Sequence, residues 1–247
     1  MVEREILVIS EGPTEKKLIQ RLFKTFSVRP VTIVTFKTNI YRLYDLYEAQ
    51  GQPYEDLDLI SVLRSDPSRD FKVPEIEALS DSRRYTDIFL IFDFDPHVQG
   101  YSAQKILKLM GHFSDSTDTG RLYINYPMVE SFQHMVLPSK STAQTEVEFF
   151  RRNFEMANLT DYKKSVGEEG FQLSSQLTEG DYARVIRAHA RKASSLVGCS
   201  TELIIQQSQL KKLLCEQCDR ISQTKSGFVV NTSCFLVPEL YPKKVDM

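Results

Sequence analysis

The sequence predicts an α/β fold with a mostly parallel sheet flanked by helices, followed by a mainly helical region. Two observations lead to this prediction. Short apolar segments alternate with amphipathic segments up to residue 138, and long helix-like segments follow one another after it. We therefore divide the chain into an α/β domain over residues 1–138 and a helical subdomain over 139–247.

The α/β domain alternates strands and helices in the order β-α-β-α-β-α-β. Apolar or β-branched runs predict strands, and apolar residues at spacings of three and four predict helices. The predicted strands cover 5–10, 30–36, 86–92 and 121–126, and the predicted helices cover 14–26, 39–49 and 102–113. Pro and Asp interrupt the weak apolar pattern of residues 50–84, which indicates an insertion of helix and loop, and residues 114–120 form a polar loop.

The region after Pro138 contains three long helical patterns. They cover residues 147–156, 180–197 and 202–221, and we predict no strand among them. Residues 226–237 are apolar and β-branched enough to predict a terminal strand or hairpin.

The composition limits the class of protein. A chain of 247 residues that is 41% hydrophobic can bury a core without disulfides, and it has four cysteines. Its 31 Lys and Arg residues against 33 Asp and Glu residues argue against a protein that coats nucleic acid through overall positive charge. No apolar run is long enough to span a bilayer, and the first residues do not resemble a signal peptide, so we expect a soluble cytoplasmic protein without a membrane partner.

Acidic residues follow three of the four predicted strands. Glu11 follows the first strand, Asp93 and Asp95 follow the third, and Glu130 follows the fourth. Ligands of open α/β sheets bind outside the carboxyl ends of the strands, and residues i and i+2 of a strand point to one side. Clustered carboxylates repel one another, and a divalent cation with a preference for oxygen ligands, Mg²⁺ or Mn²⁺, would relieve that repulsion. For Glu11 alone, a turn or capping role is the simpler interpretation.

These motifs resemble those of the toprim family, which includes topoisomerases, bacterial primases and nucleases of the overcoming-lysogenization-defect type. The family has an apolar strand that ends in Glu-Gly and a later D-x-D, which correspond here to residues 6–12 and 93–95. The resemblance covers residues 4–137. It implies that Glu11 binds metal or acts as an acid or base and that Asp93 and Asp95 bind the metal. Glu130 matches a further glutamate of some small toprim nucleases in phage defence.

The resemblance also implies an activity and partners. We expect a nuclease in which Glu11, Asp93, Asp95 and Glu130 are catalytic and two divalent ions assist the hydrolysis of phosphodiester bonds. Nucleic acid, either DNA or RNA, is then the partner, and defence against phage or foreign nucleic acid is the expected role. Related nucleases carry an ATPase in the same chain, and this sequence has no motif for one, so a separate ATPase or sensor subunit is a further expected partner.

The main alternative is a non-catalytic protein that binds nucleic acid or another partner. The sequence argues against two other classes of protein. A phosphatase of the haloacid dehalogenase type would have Thr or Val where this chain has His97. A Walker-type phosphate loop would need a second glycine and a Gly-Lys-Ser/Thr ending, which the segment after Glu11 lacks.

Basic residues on two predicted helices are candidates for nucleic-acid binding. Lys16 and Lys17 lie in the first turns of the helix after Glu-Gly, close to its N-terminus. Arg184, Arg187 and Arg191 follow one side of the helix over 180–197, and Lys192 extends this group. Ordinary solvated helix faces are the alternative for both groups.

His97 and the cysteines are weaker candidates. His97 is a candidate for orienting phosphate or water, although a loop histidine without a role in the site is the simpler interpretation. Cys215 and Cys218 form a C-x-x-C, but Cys199 and Cys234 are single residues rather than a second pair. We therefore favour ordinary core cysteines over a zinc site.

Overall fold

The structure, a computed structural model, describes most of the chain. The described residues are 5–28, 31–67, 74–137, 148–149, 151–173, 176–199 and 206–245. Within these residues, no helix combines the length and the apolar character needed to cross a membrane.

A five-stranded sheet forms the centre of the α/β part. Its strands are β1 (Ile6–Ser10), β2 (Val31–Thr35), β3 (Asp87–Asp93), β4 (Ser114–Asp115) and β5 (Gly120–Asn125). Their order is β2-β1-β3-β5-β4, with the first four parallel and β4 antiparallel to β5. β1 is buried along its whole length, as expected of a strand covered on both faces. The α/β fold class and the four longer strands are therefore confirmed.

Helices connect these strands and cover the sheet. They are α1 (Pro13–Thr25), α2 (Ile40–Ala49), α3 (Leu59–Arg64), α4 (Pro74–Glu77) and α5 (Ala103–His112). In α1 the apolar residues predicted to face the core, Leu18, Ile19, Leu22 and Phe23, are buried. The described part of the insertion over 50–84 consists of short helices and loops, as predicted. β4 was not predicted, because two exposed polar residues carry no strand pattern.

The C-terminal part is mainly helical but also contains strands. Its elements are β6 (Met135–Val136), β7 (Glu148–Phe149), β8 (Asn153–Glu155), α6 (Tyr162–Glu169), α7 (Glu179–Leu196), α8 (Gln207–Thr224), β9 (Ser226–Phe228) and α9 (Leu236–Leu240). Single 3-10 turns lie at Val129–Gln133, Met156–Asp161, Ser233–Phe235 and Pro242–Lys244.

Two predictions for the C-terminal part are wrong. Residues 148–149 and 153–155 are strands rather than one helix, so the expectation of no strand in this region also fails. β7 pairs with β6, and β8 pairs with β9, both in antiparallel register. Pairing with segments distant in sequence overrides the local helical pattern. The predicted helix over 180–197 is confirmed, and the one over 202–221 runs from Gln207 to Thr224, with 202–205 outside the described residues.

The end of the chain packs against the carboxyl end of β5. Tyr126 and Val230 exchange two backbone hydrogen bonds of 2.8 and 2.9 Å. The Thr232 hydroxyl donates to the carbonyl of Ile124 at 2.7 Å. Buried apolar residues of both parts of the chain belong to one continuous core. The predicted boundary at 138 lies outside the described residues. The predicted terminal strand or hairpin over 226–237 is confirmed only for 226–228, which form β9, because residues 233–240 are helical.

Candidate active site

Glu11 lies against the end of β3, because β1 and β3 are adjacent parallel strands. Its backbone N–H donates to the carbonyl of Ile91 at 3.0 Å, which extends the pairing of the two strands by one residue. Its carboxylate accepts the backbone N–H of Asp93 at 3.1 Å. The two predicted acidic motifs therefore meet at the carboxyl edge of the sheet.

Glu15 is a fifth acidic residue at this edge, and the sequence analysis did not predict it. It is buried in the first turn of α1 and accepts the backbone N–H of Gly12 at 2.7 Å. A Cβ atom at position 12 would lie 2.9 Å from the same Glu15 oxygen, so glycine permits this close approach. An acidic residue at this position is also typical of helix capping, and the sequence pattern therefore gave no reason to place Glu15 in the site.

The D-x-D motif covers the end of β3 and the turn that follows it. Asp93 is the last residue of β3, and the Asn125 side-chain amide donates to its carboxylate at 3.4 Å. Asp95 lies beyond the strand with a φ of +37°, so strand alternation does not place it beside Asp93 as we reasoned. Instead, the Phe94 N–H donates to the Asn125 carbonyl at 3.0 Å, and the Tyr41 hydroxyl donates to the Phe94 carbonyl at 2.9 Å. The turn keeps Asp95 close enough for its charge to raise the pKa of Asp93.

Glu130 completes the acidic group from the other side of β3. It lies in the 3-10 turn that follows β5 and is 8% exposed. The ammonium of Lys163, on α6, lies 2.8 Å from Glu130 Oε1. Contact with Glu130 raises the pKa of Lys163, and the charges of Glu15 and Asp93 contribute to the same rise. The C-terminal part therefore supplies a cation to the acidic edge, and no sequence motif indicated it.

We call Glu11, Glu15, Asp93, Asp95 and Glu130 the carboxylate cluster. Burial is the main cause of a rise in the pKa of Glu11 to about 8, with the charges of Asp95 and Glu15 adding to it and the Asp93 N–H opposing it. Burial also raises the pKa of Asp93 well above its usual range, and the other four carboxylates add to this rise. The pKa values of Glu15 and Asp95 are raised, again mainly by burial. Without a cation, the cluster therefore retains protons at neutral pH.

The donor chemistry of the carboxylate cluster fits a divalent cation. Buried carboxylate oxygens that repel one another are the ligands that Mg²⁺ and Mn²⁺ prefer. Among the described residues, however, no three His, Cys, Asp or Glu side chains are placed so that they could hold a metal ion together. Side chains of the cluster would therefore have to turn toward a common centre to coordinate one.

The lysines of α1 and His97 lie outside the cluster. The Lys16 ammonium is 2.9 Å from the carboxylate of Glu75, and Lys17 is exposed. His97 is exposed and follows Asp95 closely enough for its charge to oppose the rise in the pKa of that carboxyl. Lys16 is thus engaged within the protein, and Lys17 lies on a solvated helix face.

Some of the residues on the predicted basic side of α7 bind other groups within the protein. Arg184 forms an ion pair with Asp181, one turn earlier in the helix. The Arg187 guanidinium donates to the carbonyl of Val245 at 2.7 Å, which ties α7 to the end of the chain. Arg191 is exposed. These contacts leave less of the row for nucleic acid than the spacing predicted.

The cysteines do not form a metal site within the described part of the chain. All four thiols are free, and the described residues contain no group that could hold zinc. Cys234 is buried, as expected of a core cysteine, whereas Cys199 and Cys215 are exposed. The core interpretation is therefore correct for Cys234 and wrong for the two exposed residues.

Similarity to known proteins gives no further guide to function. Comparisons with protein-family models, with curated proteins and with solved structures found no match. The functional argument therefore depends on the carboxylate cluster and on the other charged groups of this chain.

Proposed function

We propose that the chain is a nuclease that depends on Mg²⁺ or Mn²⁺ and hydrolyses phosphodiester bonds through a toprim-like α/β domain. The observation that supports this most is the carboxylate cluster, in which three strand ends and one helix start bring five acids together. Such a group destabilises the folded protein unless a ligand compensates for the repulsion. Buried acids with raised pKa values in one place are typical of functional sites.

Four acids of the cluster have a proposed role. Asp93 and Asp95 hold the cation together with Glu11, and Glu130 is the further acid on the far side. When bound, a divalent cation lowers the pKa of the attacking water and stabilises the negative charge on the leaving oxygen. The toprim resemblance also assigns Glu11 an acid or base step. In the metal-free protein the pKa of Glu11 is raised to about 8, and binding of a cation would favour its ionised carboxylate.

The wider role follows from the toprim resemblance alone. We propose nucleic acid, DNA or RNA, as the substrate, the cytoplasm as the location, and defence against phage or foreign nucleic acid as the biological role. A separate ATPase or sensor subunit is a proposed partner. Lys17, which is exposed, and the basic side of α7 are the proposed contacts with the nucleic-acid backbone.

A second candidate is a non-catalytic protein that binds nucleic acid or a partner and uses metal only for structure. One observation favours it: the described side chains do not form a group of three metal ligands, as metal-assisted catalysis would need. The experiment below separates the two functions.

The test is cleavage of plasmid, single-stranded DNA and transfer RNA with Mg²⁺, with Mn²⁺ and with chelator. The wild type is compared with Glu11→Gln and Asp93→Asn, and with Glu216→Gln, an exposed glutamate of α8, as the matched control. We expect metal-dependent cleavage by the wild type and the control, and a loss of at least about 100-fold in the two cluster variants.

Metal affinity, measured by calorimetry on the same proteins, covers the case in which cleavage needs a partner. Such a nuclease still binds Mg²⁺ through the cluster, so Asp93→Asn should bind more weakly than the wild type. Metal binding that is weakened in Asp93→Asn, without cleavage of any substrate, would fit both a nuclease that needs a partner and the non-catalytic candidate, and it would place the ion in the cluster in either case. A folded wild type that neither cleaves nor binds the ion more tightly than Asp93→Asn contradicts the proposal.

A further inference from the structure

A cationic pocket lies in the C-terminal part and shares no residue with the carboxylate cluster. It has a volume of about 550 Å³ and is lined by Arg152, Lys192 and Arg220 together with Phe149 and Phe228. Lys192 lies on α7, Arg220 on α8 and Arg152 directly before β8, so three parts of the chain that are distant in sequence bring the charges together. We call this the cationic pocket.

Aromatic rings and a backbone carbonyl hold two of these cations in place. The Lys192 ammonium lies 4.1 Å from the centroid of the Phe149 ring and donates to the backbone carbonyl of Arg152. The Arg220 guanidinium lies 4.3 Å from the centroid of the Phe228 ring. A ring face and a carbonyl position a cation without cancelling its charge, unlike a carboxylate.

The described residues provide no carboxylate within ion-pair distance of Arg152, Lys192 or Arg220. The contrast with other cations is clear, since the arginine of α7 at position 184 has Asp181 beside it. The Nε of Arg220 is buried and has no hydrogen-bond partner among the described residues. The pKa of Lys192 is lowered to about 7, mainly by burial and in addition by the charges of Arg152 and Arg220. The two guanidinium groups are therefore uncompensated positive charges, and Lys192 adds a third when it is protonated.

We infer that the cationic pocket binds the phosphate group of a nucleotide, either free or within a polynucleotide strand. Guanidinium groups donate paired hydrogen bonds that match phosphate oxygens, and an ammonium adds a point charge. The volume of about 550 Å³ exceeds the needs of a phosphate alone and leaves room for a sugar and base. The inference does not depend on the proposed nuclease activity, because binding is measured without cleavage.

Calorimetric titration in chelator and low salt tests this site. The probes are inorganic phosphate, AMP and a short 5′-phosphorylated oligothymidylate, titrated into the full chain. We expect Arg152→Gln and Arg220→Gln each to weaken nucleotide binding by about 10- to 100-fold, as expected for loss of hydrogen bonds from a charged donor. Arg151→Gln is the matched control, because it removes the same charge next to Arg152 at a residue paired with Glu169.

The three probes distinguish the sources of the phosphate. Binding of AMP as tight as that of the oligonucleotide supports a free nucleotide, and binding of the oligonucleotide alone supports a strand phosphate. Inorganic phosphate bound as tightly as AMP overturns the nucleotide assignment. Absence of binding by every probe, or equal binding by the wild type and both arginine variants, overturns the site. Lys192→Met keeps an apolar stem over Phe149 and removes the ammonium, and it should also weaken binding of the nucleotide.

Discussion

Glu11→Gln should stabilise the metal-free protein at neutral and alkaline pH but not at acidic pH. The pKa of Glu11 is raised from 4.5 to about 8, first by burial and then by the charges of Asp95 and Glu15. A raised pKa means that the folded state favours the protonated carboxyl. This stabilisation is complete below pH 4.5 and is lost as the pH rises toward 8. Glutamine does not titrate, and its amide oxygen can accept the same Asp93 N–H.

The size of the effect follows from the shift. The rise in the pKa of Glu11 from 4.5 to about 8, at about 1.36 kcal/mol per pH unit, gives an upper value of about 5 kcal/mol above pH 8. Water that enters the site on ionisation reduces this value. We therefore expect the free energy of unfolding of Glu11→Gln to exceed that of the wild type by about 2–4 kcal/mol at pH 8 and to match it near pH 4.5.

Urea unfolding in chelator across this pH range is the assay. Glu216→Gln, an exposed glutamate, should follow the wild type at every pH. Addition of Mg²⁺ should stabilise the wild type more than Glu11→Gln, because the variant has lost a charged ligand. A difference between wild type and Glu11→Gln that is the same at every pH, or a variant that is less stable at pH 8, would refute the account of the buried carboxyl.

Two further predictions concern cations. Burial lowers the pKa of Lys192 from 10.5 to about 7, so its charged form destabilises the fold at low pH. Lys192→Met should therefore be more stable than the wild type by about 2–4 kcal/mol below pH 7, and urea unfolding should show this gain shrink as the pH rises toward 10.5; a constant or reversed difference would contradict it. Lys163→Met removes a positive charge that lies 2.8 Å from Glu130 and is 66% exposed. We expect calorimetry to show Mg²⁺ affinity about two- to fivefold higher, as suits an exposed charge, and weaker binding would indicate that Lys163 orders the cluster instead.

The sequence predicts the α/β part well because its signals are local. β1, β3 and β5 are apolar runs buried along nearly their whole length, β2 is a β-branched edge strand, and each long helix shows its buried face at spacings of three and four. The predictions fail where short strands pair with segments that are distant in sequence. β4 and the segment over 148–155 are strands of two or three residues that exist through partners elsewhere in the chain. Too few residues take part for an alternating pattern to arise.

The candidate site likewise contains some residues whose positions the sequence predicts and others whose positions it does not. Glu11 and Asp93 could be predicted to meet, because the carboxyl ends of neighbouring parallel strands lie at one edge. The place of Asp95 was predicted for the wrong reason, since a turn with positive φ carries it rather than the strand. Glu15 has the sequence signature of a helix cap, and Lys163 lies on a helix that no motif connects to the sheet. Both require the packed structure.

The carboxylate cluster and the cationic pocket have opposite charges, but both lower the stability of the folded protein for the same physical reason. In the cluster, burial and repulsion raise the pKa of Glu11 to about 8, and in the pocket they lower that of Lys192 to about 7. Both shifts record free energy lost when like charges are held together away from water. A structural role would favour an opposite charge beside each group, as Asp181 lies beside Arg184. Ligands of opposite charge, a divalent cation for one site and a phosphate for the other, would each offset that cost, and this common logic is why we propose two binding sites rather than two defects of packing.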